Sequence, residues 1–424
     1  MPNKQTLIQV LFILGFLTTS ASIASTANKA RFSSLSGRVF KTLASFDGTD
    51  GAFPQYGSLL HGRDGNFYGT TYEGGVSKNC QYRGGCGTVF QITPRGKITT
   101  LYNFCSQPNC ADGANPVAGL VQTTDGDLYG TAYGGGATLL GTVFKITAQG
   151  KLTTIYTFCA DEGLPCLNGS APLGGLMQAT DGNFYGTTQS GGAYSGGTVF
   201  KITPRGKLTT LHSFCARDCA DGTEPMGVLV QATDGNFYGT TSNGGVGGNC
   251  NSYNDDLCGT VFKITRTGKL TTLYTFCRKV NCSDGASPWA GLVQATDGNF
   301  YGTTSEGGNS NVGTVFKITS TGELTTIYTF CTRGECYDGN EPISPLIQAT
   351  DGNLYGTTYG GGEFGVGTVF KTTLGGKLTT LYSFNSTDGS AVCAGLIQSA
   401  NGTLYGTTGG GGADGDGTVF ELLP

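Results

Sequence analysis

D-G-N-F-Y-G-T-T at residues 234–241, G-T-V-F-K-I-T at 259–265 and K-L-T-T-L-Y-T-F at 269–276 form one unit of a pattern that fills the chain. The first phrase recurs from Asp64, Asp181 and Asp297, with variants from Asp125, Asp351 and Asn401. The second starts at Gly87, Gly141, Gly197, Gly259, Gly313, Gly367 and Gly417. Self-similarity at such a period marks one supersecondary unit used repeatedly. The unit predicts four strands: a at 228–232, b at 237–241, c at 260–265 and d at 270–276. Asp234-Gly235 and Thr267-Gly268 are hairpin turns, because glycine supplies the positive φ that such turns need. Val, Ile, Thr, Tyr and Phe dominate the strands, as a pleated, half-buried surface favours. Strand d alternates poorly: Leu270, Leu273 and Phe276 stand three apart.

The ends of the pattern decide the architecture. Residues 37–46 match strand d, because Thr42-Leu43-Ala44-Ser45-Phe46 parallels Thr380-Leu381-Tyr382-Ser383-Phe384. The last unit ends on strand c, at residues 417–424. An open array would leave an unpaired edge at each end, which sheet proteins avoid. Donating the N-terminal strand to the last unit closes a ring. Units spaced by roughly 50 to 63 residues suit propeller blades. The expected fold is all-β, a seven-bladed β-propeller over residues 37–424.

Ahead of it, Lys4, the apolar run 7–17 and the small residues Ser22-Ile23-Ala24 and Ser25-Thr26-Ala27 predict a signal peptide over 1–27, with a linker at 28–36. The run is too short to span a membrane. A secreted or periplasmic monomer without a membrane anchor is expected. A formal net charge of −4 and a charged fraction of 13% argue against nucleic acid and against a polybasic membrane-surface protein.

Fifteen cysteines in an exported chain predict disulfides. Between strands d and a lie Cys105/Cys110, Cys159/Cys166, Cys215/Cys219, Cys277/Cys282 and Cys331/Cys336. Between b and c lie Cys80/Cys86 and Cys250/Cys258. In a propeller both kinds of connection emerge on one face, so every staple belongs to that face. The spacings, with no histidine nearby, do not resemble zinc sites, and neither metal nor cofactor is expected. Cys393 is left over as a small buried hydrophobe.

The phrases A-T-D-G-N-F-Y-G-T-T, G-T-V-F-K-I-T and G-x-L-T-T-L-Y-T-F resemble the GloVer (Gloeo/Verruco) tandem repeat of bacterial extracellular proteins. Their order is also similar to NHL-type propeller blades. The resemblance implies export. It supplies no catalytic residues, and the final Glu421-Leu422-Leu423-Pro424 lacks the surface-anchoring segment that the family often carries.

Only two histidines are present. His61 replaces a glutamine that recurs on strand a as Gln122, Gln178, Gln231, Gln294, Gln348 and Gln398; these amides read as hydrogen bonding between blades. His212 replaces an outer-strand tyrosine and reads as a surface residue. The repeated D-G-x-x-P aspartates (Asp112, Asp221, Asp284, Asp338, with Asp388 similar) read as turn formers. Features that break the sevenfold pattern carry more information, since architecture does not demand them. The b–c loop of the first unit brings Lys78, Tyr82 and Arg83; that of the fourth brings Tyr253, Asp255 and Asp256. Trp289, the single tryptophan, precedes strand a near the channel mouth. Aromatic and planar polar groups around a concave mouth suit a glycan, peptide or protein ligand. The reading is a non-enzymatic binding module. The alternatives are a polysaccharide lyase or hydrolase using Tyr82, Arg83 and His61, or a structural envelope scaffold.

Overall fold

The computed structural model describes residues 39–80, 84–160, 166–246, 258–332 and 334–424. They form seven four-stranded antiparallel sheets. Blade four comprises strands a (Val230–Gln231), b (Phe237–Thr241), c (Thr260–Ile264) and d (Leu270–Thr275). Blade seven takes its outer strand from the N-terminus: Val39–Ser45 pairs antiparallel with Thr418–Leu423, from Val39↔Leu423 to Ser45↔Thr418. The ring is closed as the unmatched ends predict.

Two expectations change. Strand a shrinks to two paired residues, because the residues before it pair with the neighbouring blade. The hydroxyls of Thr70, Thr240 and Thr407 donate to Ala118 O, Ala290 O and Pro54 O at 2.8–3.0 Å. The last of these bonds joins blade seven to blade one. Strand d alternates poorly because it is bulged. In blade four Val261 pairs with Tyr274 and Phe262 with Thr272, which leaves Leu273 over. Leu273 and Tyr274 then pack toward blade five while Leu270 packs toward blade three. An extra residue in one strand of a pair has this effect.

The core lies between blades. The phenylalanine after strand d meets the GTVF phenylalanine of the next blade at each of the seven interfaces. The pairs run from Phe46–Phe90 to Phe384–Phe420, with centroids 5.0–5.5 Å apart and steeply inclined rings. Such edge-to-face pairs add about 0.5–1.5 kcal/mol each beyond burial. The glycine inside strand b makes room for this ring. A Cβ on Gly69, Gly130, Gly186, Gly239, Gly302, Gly356 or Gly406 would lie 2.5–2.7 Å from that phenylalanine's Cζ.

Candidate functional site

Disulfides join Cys80–Cys86, Cys105–Cys110, Cys159–Cys166, Cys215–Cys219, Cys277–Cys282 and Cys331–Cys336. Cys258 is also disulfide-bonded, and its expected partner Cys250 lies outside the described residues. The two loop types meet on one face. Bridges such as Ala52↔Glu73, Ala114↔Gly134 and Asn340↔Gly360 tie each d–a loop to the b–c loop beside it.

Inside this stapled rim, each blade repeats one contact. The residue after strand b donates its N–H to the carbonyl of the residue before the d–a proline or its equivalent. The pairs are Tyr72–Phe53, Tyr133–Asn115, Gln189–Ala171, Ser242–Glu224, Ser305–Ser287, Tyr359–Glu341 and Gly409–Ala391, at 3.0–3.1 Å. The accepting residues all have φ between 53° and 56° or close to it, including Glu224 (56°) and Glu341 (51°). Glycine or asparagine suits that conformation better than glutamate does. The scaffold therefore imposes the backbone and leaves the side chain free to vary around the channel mouth.

Two groups of varied side chains gather there. Where blades six, seven and one meet, Tyr56 interacts electrostatically with Cys393, Tyr359 and Tyr72, and Cys393 with Glu341. Burial pushes the Tyr56 hydroxyl and the Cys393 thiol far up, and it raises the Glu341 carboxyl, whose side chain still meets solvent at the mouth. Cys393 is the free cysteine among the described residues and is buried. Where blades three and four meet, Gln189 Nε2 donates to Glu224 Oε2 at 3.3 Å, while the buried Gln189 Oε1 has no partner. Trp289 is partly exposed and stands just before Ala290, whose carbonyl takes the Thr240 bond at the inner edge of blade five. Its backbone thus enters blade five at the channel end of strand a.

Tyr82, Arg83, Tyr253, Asp255 and Asp256 lie outside the described residues. His61 occupies the opposite end of its blade. It pairs with Phe67 beside the a–b turn and stacks on that ring at 4.8 Å. His212 is not a plain surface residue. Its side chain is 22% exposed, and Nε2 lies 2.7 Å from Asp221 Oδ2. The same link elsewhere is a tyrosine donating to the D-G aspartate: Tyr102 to Asp112, Tyr274 to Asp284 and Tyr328 to Asp338, all at 2.7 Å. Asp112 and Asp284 each also accept two backbone N–H groups, so these aspartates are structural, as read from their repetition.

The glutamines of strand a do bridge blades. Gln231, Gln294, Gln348 and Gln398 accept from Thr180, Thr233, Thr296 and Thr350 N–H at 2.8–2.9 Å. They line shallow hollows at the unstapled mouth, of about 520 and 360 Å³. Sequence reasoning missed Tyr56, Tyr359, Glu341 and the Gln189–Glu224 pair. Their only signal was variation at the positions beside the d–a proline and the Y-G-T-T phrase.

Blade count, closure and stapled face define a seven-bladed β-propeller with its variable residues around one channel mouth. The chain belongs to the Gloeobacter/Verrucomicrobia repeat family, which matches residues 16–253 and 247–424. No curated protein matches it in sequence. Among solved structures it is similar to a streptogramin B lyase, with 15% identity, coverage of 91% of this chain and 97% of that chain, and a TM-score of 0.57. It is also similar to virginiamycin B lyase from Staphylococcus aureus, with 16% identity, 92% and 99% coverage, and a TM-score of 0.55. At such identity the likeness shows the fold alone.

Proposed function

We propose that the chain is an exported, non-enzymatic module that binds a glycan at the stapled mouth. The observation that carries this reading is the set of aromatic and carboxyl side chains there: Tyr56, Tyr72, Tyr359 and Trp289 with Glu224 and Glu341. Aromatic faces stack on sugar rings and carboxylates accept from their hydroxyls, a combination typical of concave ligand sites. Six disulfides among the described residues support export, as does the signal peptide read over 1–27, which lies outside those residues.

A glycan array with the purified chain tests the reading. Wild type binds a defined glycan class, and Trp289→Ala with Tyr359→Ala weakens binding at least tenfold. Binding untouched by both substitutions, or no glycan bound at all, contradicts it. The enzyme reading draws on the lyase neighbours in fold and on the raised Glu341 carboxyl beside Tyr359. New reducing ends after incubation with the bound glycan, abolished by Glu341→Gln, decide for it.

A further inference from the structure

We propose that the unstapled face docks electrostatically on an anionic phospholipid bilayer, through the cations of blades one to four. On that face, lysines of strand c are cancelled within their own blades. Lys201 meets Asp181 at 3.0 Å, Lys263 meets Asp234 at 2.7 Å, and Lys145 meets Asp127. The c–d turns add cations that nothing cancels. Arg95, Lys97, Lys151, Arg205, Lys207 and Lys269 are exposed and have no ion pair among the described residues. Two arginines lie across blade junctions: Arg63 donates to Thr124 O at 3.0 Å and Arg266 to Thr180 Oγ1 at 2.7 Å. Asp64 and Asp125 are the carboxylates of this arc without a lysine ion pair, and the cations outnumber them. The arc ends at blade five, where Glu323 takes the lysine position.

Among the described residues this face carries no long loops, and its relief is that of the shallow hollows between the strand-a glutamines. Its turns are tight Asp-Gly and Gly-Lys hairpins, with Gly235 and Gly268 at positive φ. Among the described residues, the exposed apolar side chains Val76, Leu139, Tyr194, Val246, Val280 and Phe364 belong to loops of the stapled face, while Val39 and Leu423 lie at the unstapled end of blade seven, outside the arc of blades one to four. Outside the shallow hollows at the channel mouth, a rim of tight turns bearing spread single cations over blades one to four suits a plane of headgroup phosphates. A nucleic-acid or polysaccharide strand fits a groove better. Clusters of four to eight cations are what an anionic leaflet attracts, within a Debye length of its surface. Docked this way, the protein turns its stapled mouth outward, although the docking stands independently of what that mouth binds.

Co-sedimentation with vesicles tests the proposal. Full-length mature protein should pellet with phosphatidylglycerol–phosphatidylcholine vesicles at low salt, and with neither pure phosphatidylcholine nor any vesicle near 1 M salt, where the Debye length is about 3 Å. The variant R95E/K97E/R205E/K207E should lose binding at least tenfold. R278E/K279E, on the stapled face, should keep it. Equal binding to neutral vesicles, undiminished binding by the four-charge variant, or capture of soluble polyphosphate without vesicle binding overturns the proposal. The dependence of wild type on lipid charge keeps the test decisive even if a variant fails to fold.

Discussion

Thr142 shows how closely single side chains are matched in this repeat. In six blades the second threonine of Y-G-T-T shares a buried hydroxyl bond with the first residue of strand c, such as Thr71–Thr88 or Thr304–Thr314, at 2.8–2.9 Å. Blade two has Ala132 instead, and Thr142 Oγ1 is left buried without a partner. Ala132→Thr restores the pair and should raise stability by about 1 kcal/mol, the net worth of a buried hydrogen bond, read from the urea midpoint. The carboxyls of Asp181, Asp234, Asp297 and Asp351 are governed by opposing effects. Partial burial would raise them, but lysine, asparagine and tyrosine donors prevail and hold them well below the ordinary range. A depressed folded-state value gives stability that is fully present above the unfolded aspartate value of about 3.9 and lost as pH falls below it. The thermal midpoint should drop between about pH 5 and pH 2. Lys263→Met, which keeps the stem and removes the donor, should make that drop smaller.

At the scale of the strand, b and c were legible in the sequence almost to the residue, because their turns recur in every blade and their paired threonines in six of the seven. Strand a was not, since its first residues hydrogen-bond to the neighbouring blade and composition alone does not reveal which partner a strand takes. Strand d hid a bulge, and Leu270, Leu273 and Phe276 looked irregular until the unpaired Leu273 was seen. The candidate site was legible only as a place. Trp289 stood out by type, whereas Glu341 and Glu224 did not, because their significance lies in a positive φ that the scaffold imposes. The staples belong to this scale too. Cys277 and Cys282 close a ring five residues apart in sequence. Replacing both by alanine should cost about 2 kcal/mol on the chain-entropy model. Calorimetry checks this, and a loss of glycan affinity without a fall in melting temperature would assign the staple to the site instead.

Across the whole molecule, charge is segregated in a way that a net −4 conceals. Carboxylates such as Glu73, Asp414 and Asp416 gather in loops of the stapled face, where burial first, and like-charge neighbours second, raise the Asp416 and Glu73 carboxyls. Cations gather at the turns of the other face. A balance summed over the chain suggested neither surface, because it ignores the side on which each connection emerges. Both faces depend on one event, the return of residues 39–45 to the last blade. Without it, Thr418–Leu423 would be an open edge and the Phe46–Phe90 contact between blades seven and one would vanish. Lys41 and Glu421 are directly paired across this seam. The double variant Lys41→Cys/Glu421→Cys, oxidised at low concentration, should therefore cross-link within a monomer that retains full melting temperature. Cross-linking only between molecules, or none, would contradict closure of the ring by the N-terminal strand.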